Sequence, residues 1–177
     1  MGRIVSNFFI ALDGVVEQPE NWHMSYINDE MMAIITAGME VNKAFMMGRT
    51  GYDGAAAFWP DQTDEFGEYF NTIPKYVISA SLQDPTWNNT TVVPGDVEAV
   101  QRVKDSVDGD IFMTGSAITV RWLLANGLLD ELRLLLHPVA VGAGQRLFEG
   151  TPTHKLELVE SSALSTGVLN LVYRPAE

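Results

Sequence analysis

The sequence predicts a three-layer α/β fold, in which helices flank a mostly parallel central sheet with antiparallel strands at its C-terminal end. Predicted strands and helices alternate through most of the chain, as they do in α/β proteins. The last two predicted strands follow each other directly, which indicates an antiparallel hairpin. Hydrophobic residues make up 46% of the chain and charged residues 19%, which is typical of a globular protein with a core. We find no linker or repeat, so we expect one domain over residues 1–177.

The first half of the chain contains strands separated by helices. Its predicted elements are a strand at 3–12, a helix capped by Asn28 or Asp29 that runs to about Asn42, a strand at 43–47, a short acidic helix at 61–71 and a strand at 75–79. The first strand ends at Asp13-Gly14, which is a turn signal. The loop at 15–27 holds Trp22, which either covers the core or lines a pocket, since aromatic and polar residues alternate around it.

The second half continues this alternation and then closes with paired strands. Its predicted elements are a strand at 90–93, a helix capped by Asp96 that runs to about Val107, a strand at 111–114, a helix capped by Ser116 and ended by Asn126-Gly127, a strand at 132–136 and a hairpin of strands at 156–164 and 168–173. The run from Leu132 to Leu136 is almost unbroken leucine, which is typical of a strand that is buried on both faces.

Composition excludes several classes of function. Eleven basic and 23 acidic residues give a net charge of −12, which should repel a nucleic-acid backbone. The chain has no cysteine, so disulfides, thiolate zinc sites and a cysteine nucleophile are excluded. His23, His137 and His154 show no ligand spacing, so we expect no metal. No apolar run reaches membrane-spanning length and the chain starts in a strand without a leader, so we expect a cytoplasmic protein that does not bind membranes.

Four predicted turns follow predicted strands directly. They contain Asp13, Gly48-Arg49-Thr50, Ser79-Ala80-Ser81 and Gly115-Ser116-Ala117. Ligands of parallel α/β sheets bind at the carboxyl ends of the strands. The last turn also opens a helix, where free backbone N–H groups and the positive end of the helix dipole attract an anion. The four turns together predict a nucleotide site at one edge of the sheet.

Individual residues in these turns allow two interpretations each. Arg49 is one of four basic residues in positions 1–100. Its planar guanidinium suits a phosphate monoester, and the alternative is a surface ion pair with one of the many acids. Ser79 and Ser81 leave room for a flat ring or a ribose, and they are equally ordinary turn residues.

In combination, the motifs resemble the dihydrofolate reductase-like family that includes the C-terminal reductase domain of the riboflavin biosynthesis protein RibD, and its standalone members in particular. The motifs span nearly the whole chain. They are LDG at 12–14, GRTGYD at 48–53 with AFWP behind it, PKYVISASL at 74–82, WNNT at 87–90, GSA at 115–117, GLLDELRL at 127–134 and HPVAVGAGQRLF at 137–148. Their order and spacing make the combination specific.

This resemblance implies a dihydrofolate reductase-like sheet that binds NADPH across the strand ends, with Gly48 in the cofactor site. It implies that Arg49 contacts the adenosine 2′-phosphate and Thr50 the phosphate bridge. The other implied contacts are Ser79 and Ser81 near the adenine ribose, and Gly115, Ser116, Ala117 and Ile118 around the pyrophosphate. Family members often dimerise near the last strands and the loop at 138–148, so a homodimer is expected.

The implied reaction is hydride transfer from the nicotinamide to a small heterocyclic or carbonyl/imine substrate, as in 5-amino-6-(5-phosphoribosylamino)uracil reductases or dihydrofolate reductases. Asp29 and Asp13 are the candidate proton donors, and the alternative for each is a cap or turn residue. Asp13 and Trp22 are the candidate substrate-binding residues. With Arg49 assigned to the cofactor, few cations remain for a substrate phosphate. A nucleotide- or flavin-binding module without turnover, or a structural dimer that kept only the fold, stays open.

Overall fold

One eight-stranded sheet runs through the computed structural model, which describes residues 1–176. Its strands are β1 Arg3–Ala11, β2 Asn42–Gly48, β3 Lys75–Ile78, β4 Thr90–Val93, β5 Asp110–Thr114, β6 Glu131–His137, β7 Leu156–Ala163 and β8 Leu169–Pro175. Their spatial order is β4-β3-β2-β5-β1-β6-β8-β7. The six strands from β4 to β6 are parallel, whereas β8 runs antiparallel to both β6 and β7. The predicted fold class is confirmed.

Five α-helices flank the sheet: α1 Asp29–Val41, α2 Arg49–Phe58, α3 Glu65–Thr72, α4 Val97–Ser106 and α5 Ala117–Ala125. Polar side chains cap four of them by accepting a backbone N–H, and these caps are Asn28, Asp64, Asp96 and Ser116. Three short 3₁₀ turns lie at Pro19–Asn21, Met24–Tyr26 and Trp59–Asp61. None of the helices within residues 1–176 is both long and apolar enough to cross a membrane.

Apolar side chains from both faces of the sheet form the core. On one face, Ile4, Phe8 and Ile10 of β1 pack with α4 and α5, which contribute Val100 and Leu123 among others. The opposite face is covered in two places. Helices α2 and α3 lie over β2, β3 and β5, where the buried residues are Phe45, Met47, Tyr52, Ile73, Val77, Trp87 and Phe112. Helix α1 lies over β6 and the turn before β8, where the buried residues are Met31, Leu135, Leu164 and Val168. These contacts give the three predicted layers.

Two predicted boundaries in the first half were wrong. The acidic helix begins at Glu65 and not at 61, because Asp64 is its cap and accepts the Gly67 N–H at 2.8 Å. The chain before it packs tightly on Gly67, where a Cβ atom would lie 2.4 Å from the Gln62 carbonyl oxygen. The turn predicted at Gly48-Arg49-Thr50 is shorter than expected, since α2 begins at Arg49 and includes the residues that follow.

The amino edge of the sheet holds most of the buried charge. Glu131 is buried and lies 2.6 Å from Arg133, 3.3 Å from Arg174 and 3.5 Å from Arg3. These hydrogen-bonded ion pairs lower the pKa of Glu131 against the opposing effect of its burial. Arg3 also pairs with Asp110 at 2.8 Å. Arg3, Arg133 and Arg174 are therefore occupied by structural acids.

Candidate active site

The four strand-end turns lie side by side at the carboxyl edge of the sheet. Strands β3, β2, β5 and β1 are consecutive neighbours and all parallel, so each of them ends at that edge. Across the edge, the turns come in the order Ser79–Ser81, Gly48–Thr50, Gly115–Ala117 and Leu12–Gly14. Helices α2 and α5 start from two of these turns, so their positive ends face the same side.

The turn from β5 into α5 contains backbone donors that the helix itself does not use. Gly115 has φ +79°, in the left-handed region that favours glycine, and the peptide bond between Gly115 and Ser116 is cis. Ser116 caps the helix through the Thr119 N–H. The N–H groups of Ala117 and Ile118 come first in the helix and have no intrahelical acceptor. Two donors at a positive dipole end can bind an anion here.

The turn from β2 into α2 lies directly against the same helix. A Cβ atom on Gly48 would lie 2.7 Å from Thr119 Oγ1, so only glycine leaves room for this contact. Arg49 and Thr50 are the first two residues of α2, and both are exposed. Arg49 Nε donates to both carboxylate oxygens of Asp53, at 2.8 and 2.9 Å. The ion pair considered for Arg49 is therefore present, on a cation that remains accessible at the edge.

At the third turn, the Ser79 hydroxyl oxygen accepts the N–H groups of Ser81 and Leu82, at 3.2 and 3.0 Å. Ser79 therefore shapes the turn after β3. Ser81 is exposed at the surface of the same turn.

Asp13 holds the loop at 138–148 against the end of β1. Its Oδ2 accepts the Gly142 N–H at 2.7 Å, and its backbone carbonyl accepts Arg146 Nε at 3.0 Å. The hydrogen bond from Gly142 lowers the pKa of Asp13. A carboxyl group held ionised in this way is poorly suited to donate a proton. The geometry favours the turn role over the acid role considered for Asp13.

The start of α1 contains the other candidate acid. Asn28 is the cap, since its Oδ1 accepts the Met31 N–H at 3.0 Å, and Asp29 is the exposed first residue of the helix. The next residue, Glu30, accepts the backbone N–H of Ser165 at 2.8 Å and also its hydroxyl, and Asn28 Nδ2 donates to it at 2.9 Å. These hydrogen bonds lower the pKa of Glu30 and tie α1 to the β7–β8 turn.

Trp22 has both of the environments considered for it. Its indole contacts the ring of His137 edge-on, with the ring centroids 5.3 Å apart, and its Nε1 donates to the Glu17 carbonyl. It also lines a cavity of about 300 Å³ between the loop at 15–27 and the loop at 138–148, together with Glu17, Gln18, Asn21, Val141, Ala143 and Gly144. A second cavity, of about 330 Å³, lies between α1 and α3 and is lined by Thr36, Met39, Glu40, Glu65, Glu68, Tyr69 and Thr72.

Sequence reasoning missed a buried histidine pair beside this edge. His137 is the last residue of β6 and is fully buried, and His23 is 8% exposed. Their ring centroids lie 5.9 Å apart, among the rings of Phe9, Trp22 and Tyr26. Burial lowers the pKa of both imidazoles, so both are neutral near pH 7. Alternation along β6 places His137 on the face of Leu135, and this was the available signal.

The structure thus gathers the cofactor-site candidates at one edge and places the Trp22 and histidine cluster next to them, around β1 and β6. Asp29 differs from this cluster because it is exposed on the surface of α1. Within residues 1–176, no group of three or more histidine, aspartate or glutamate side chains is arranged to hold a metal ion.

The fold thus combines parallel strands, two helix starts at one carboxyl edge of the sheet and a final antiparallel hairpin. The chain belongs to the RibD C-terminal domain family, whose model matches residues 3–170.

Individual proteins similar to this chain extend the comparison. An uncharacterized protein of Bacillus subtilis (strain 168), YyaP, is 27% identical over 97% of this chain and 94% of its own length. A putative riboflavin biosynthesis protein from Shewanella sp. PV-4 is similar in structure, with a TM-score of 0.77 at 16% identity over 99% of both chains.

Two further solved structures share the fold at lower identity. A pyrimidine reductase-like protein from Corynebacterium diphtheriae has a TM-score of 0.67 at 12% identity, over 99% of this chain and 92% of the other. Dihydrofolate reductase from Enterococcus faecalis, complexed with NADP(H), has a TM-score of 0.67 at 11% identity, over 99% of this chain and 97% of the other. The dihydrofolate reductase-like fold expected from the motifs is confirmed.

Proposed function

We propose that this protein is an NADPH-dependent reductase that transfers hydride to a small heterocyclic or carbonyl/imine substrate. One observation carries the proposal: the turns after β3, β2, β5 and β1 lie in a row at the carboxyl edge, with the starts of α2 and α5 between them. Membership in the RibD C-terminal domain family supports a reductase type of function. A neighbour with this fold is a dihydrofolate reductase complexed with NADP(H).

The residues of this edge fit a phosphorylated dinucleotide. We propose that the free N–H groups of Ala117 and Ile118 hold the pyrophosphate, beside Gly115 and Ser116. Arg49 then reaches the 2′-phosphate by exchanging its hydrogen bonds to Asp53 for the phosphate oxygens. Gly48 and Thr50 contact the phosphate bridge. Ser79 and Ser81 lie at the ribose end, where small side chains leave room.

When bound, the nicotinamide of the cofactor supplies the hydride, and the protein supplies position and exclusion of water. Phe9, Trp22 and the two buried imidazoles form an apolar wall next to the proposed nucleotide edge. Asp29 stays the candidate proton donor because it is the acid at the start of the first helix, and the carboxyl group of Asp13 is committed to Gly142.

The distribution of cations supports a substrate without a phosphate group. Arg3, Arg133 and Arg174 surround Glu131 at the opposite edge of the sheet. Of the cations nearer to the site, Arg146 donates to the Asp13 carbonyl and Arg121 to the Glu149 carbonyl. We therefore favour an unphosphorylated ring or carbonyl compound over the phosphoribosyl intermediate of riboflavin synthesis.

The test is a fluorescence titration of the protein with NADPH and with NADH, followed by a substrate screen. We expect NADPH to bind at least about tenfold more tightly, because Arg49 can pair with the extra phosphate. The Arg49→Ala variant should bind both cofactors equally. Equal affinities in the unaltered protein would refute the assignment of Arg49. Binding of NADPH without turnover of any compound would favour a nucleotide-binding module, and no binding would favour a structural role.

We also propose that the protein is a cytoplasmic homodimer. Strand β7 forms one of the two edges of the sheet, opposite β4, and its residues are largely exposed. Leu158 of β7 and Leu169 of β8 are 50% and 37% exposed, on the side of the sheet where Tyr173 meets the core. An uncovered apolar strip beside a free edge is a typical surface for a second copy of the chain.

A further inference from the structure

His137 presents one buried hydrogen-bond acceptor that no group within residues 1–176 uses. Its Nδ1 lies 2.8 Å from the Leu135 carbonyl oxygen. A carbonyl oxygen can only accept, so Nδ1 carries the proton and Nε2 of the neutral ring carries a lone pair. This Nε2 is shielded from solvent and has no hydrogen-bond partner within 3.5 Å among residues 1–176. The Ile10 backbone also lies close enough to the imidazole to raise its pKa, as the Leu135 carbonyl does, but burial outweighs both effects. An unpaired buried acceptor costs stability unless a ligand or a water completes it.

The surroundings of Nε2 are aromatic and uncharged. Phe9, Trp22 and Tyr26 present their rings to His137 edge-on, with centroids between 5.3 and 5.8 Å away. His23 does the same at 5.9 Å, and its own Nδ1 is also buried, with no hydrogen-bond partner in the described part of the chain. A flat apolar ring with one N–H group could pack against these aromatic rings and donate a hydrogen bond to Nε2.

His23 already occupies the position that such a ring needs. Its imidazole stacks on Phe9 with centroids 4.3 Å apart and an interplanar angle of 19°. The stacking is that of two flat rings in contact. Because His23 leaves its Nδ1 unpaired there, a ligand ring that pairs with His137 would make a hydrogen bond that His23 does not make.

The segment that carries His23 can leave without breaking the sheet. Within residues 1–176, the hydrogen bonds made by positions 18–27 run only to partners in 17–27, as in the bonds from Trp22 Nε1 to Glu17 and from His23 N to Pro19. Side-chain packing alone holds this segment over Phe9 and His137. Removing His23 from the stack therefore costs contacts but no backbone hydrogen bond to the rest of the fold.

We propose that His137 Nε2 is the specificity-determining acceptor of the substrate site, and that the site takes a flat, uncharged heterocycle with a ring N–H in place of His23. This inference rests on the proposed function for the reaction, although the binding event can be measured without turnover. A carbonyl compound without an N–H would leave Nε2 unpaired, and a charged ring would lose its hydration in the aromatic enclosure, where burial outweighs the attraction of Glu20 at the His23 position.

The experiment compares two isomers of equal size by fluorescence titration of the full chain. The isomer 6,7-dimethyllumazine keeps both ring N–H groups, whereas 1,3-dimethyllumazine has methyl groups in their place. We expect the first to bind at least about tenfold more tightly, since only it can donate to Nε2. In His137→Leu this ratio should fall to near one. The matched variant His23→Ala should keep the ratio and bind the first isomer more tightly, because the stacked position is already empty.

A spectroscopic reading on the unaltered protein covers the case in which His137→Leu does not fold. With ¹⁵N-labelled histidine, the Nε2 resonance of His137 should shift with 6,7-dimethyllumazine and stay in place with its isomer. Equal binding of the isomers, binding of neither, or an unmoved Nε2 resonance would overturn the inference.

NADPH is titrated in parallel. If NADPH binds while the isomers fail, the role of Nε2 is refuted and the reductase proposal stands. If the isomers bind as expected while NADPH does not, the reductase proposal is refuted and Nε2 remains the acceptor of a ring N–H.

Discussion

Gly48 and Thr119 touch across the boundary between β2 and α5, so closely that a Cβ atom on Gly48 would lie 2.7 Å from Thr119 Oγ1. Gly48 has φ −83° and ψ 172°, a conformation that any residue adopts. Glycine is therefore required here by space and not by backbone geometry. The contact joins the turn that leads to Arg49 with the helix start that we assign to the pyrophosphate.

Gly48→Ala should separate these two turns. We expect a loss of about 1–2 kcal/mol in the free energy of unfolding, because the new methyl group overpacks the contact. We also expect about tenfold weaker NADPH binding, since both halves of the proposed phosphate site move. Chemical denaturation and cofactor titration measure the two effects.

Two variants control for this prediction. Gly54→Ala lies in α2 with open space around the new Cβ atom, and it should stabilise the protein by up to about 1 kcal/mol through helix propensity. Adding Thr119→Ala to Gly48→Ala should restore most of the lost stability by removing the hydroxyl. If Gly48→Ala is as stable as Gly54→Ala, the contact does not position the turns.

Asp13→Ala should free the Gly142 amide, while backbone hydrogen bonds to Leu12, Gly14 and Val16 keep the loop at 138–148 in place. Hydrogen exchange at the Gly142 amide should become at least about tenfold faster, because the carboxylate that accepts it is gone. Asp13→Asn keeps an oxygen acceptor in the same place and should retain most of the protection. Mass-spectrometric hydrogen exchange measures both variants. If Asp13→Asn abolishes the reduction of an identified substrate while leaving Gly142 protected, Asp13 is a proton donor after all.

Local signals account for the parts of the fold that were predictable. Ser116 and Asp96 were expected as helix caps and are caps, since this role depends on residues three positions away. The leucine-rich strand at 132–136 was expected to be buried on both faces. It lies between β1 and β8 with a core on each side, so its composition reflects its place in the sheet.

The remaining errors arise where distant segments meet. The segment at 48–53 was predicted as a turn at a helix entrance, whereas α2 already begins at Arg49. The two glycines in its first turns are poor helix formers, and tertiary packing of Tyr52 overrides them. The histidine pair was missed because His23 reaches His137 only after the segment at 18–27 folds over β1 and β6. No spacing in the sequence records such a contact.

Lys75 should make the free energy of unfolding depend on pH in the alkaline range. Its side chain is fully buried, its Nζ donates to the carbonyls of Ile73 at 2.8 Å and Asn88 at 3.1 Å, and it lies 4.4 Å from the Trp87 ring centroid. Burial lowers its pKa from 10.5 to about 8. Between pH 8 and 10.5 the unfolded chain therefore binds more protons at this site than the folded chain.

The consequence is a gain of stability with rising pH in that window. The free energy of unfolding, relative to that of Lys75→Met, should rise by about 2 kcal/mol between pH 8 and 10.5. The difference from Lys75→Met removes the contribution of all other groups. Urea unfolding at several pH values measures it, and titration of the lysine ¹³Cε resonances serves if the variant does not fold. A flat difference across the window contradicts the lowered pKa.

The proposed dimer predicts that substitutions at the β7 edge of the sheet change the oligomeric state. Leu158 pairs in register with Tyr173 on the apolar side of β7 and β8, and both Leu158 and Leu169 remain partly exposed in one copy of the chain. Leu158→Glu places a charge in that strip and should convert a dimer into a monomer, as measured by size-exclusion chromatography with light scattering. Phe58→Glu, at an equally exposed apolar residue on α2, is the matched control and should leave the dimer intact. A monomeric unaltered protein at micromolar concentration would contradict the dimer, and a dimer that survives Leu158→Glu would place the interface on another surface.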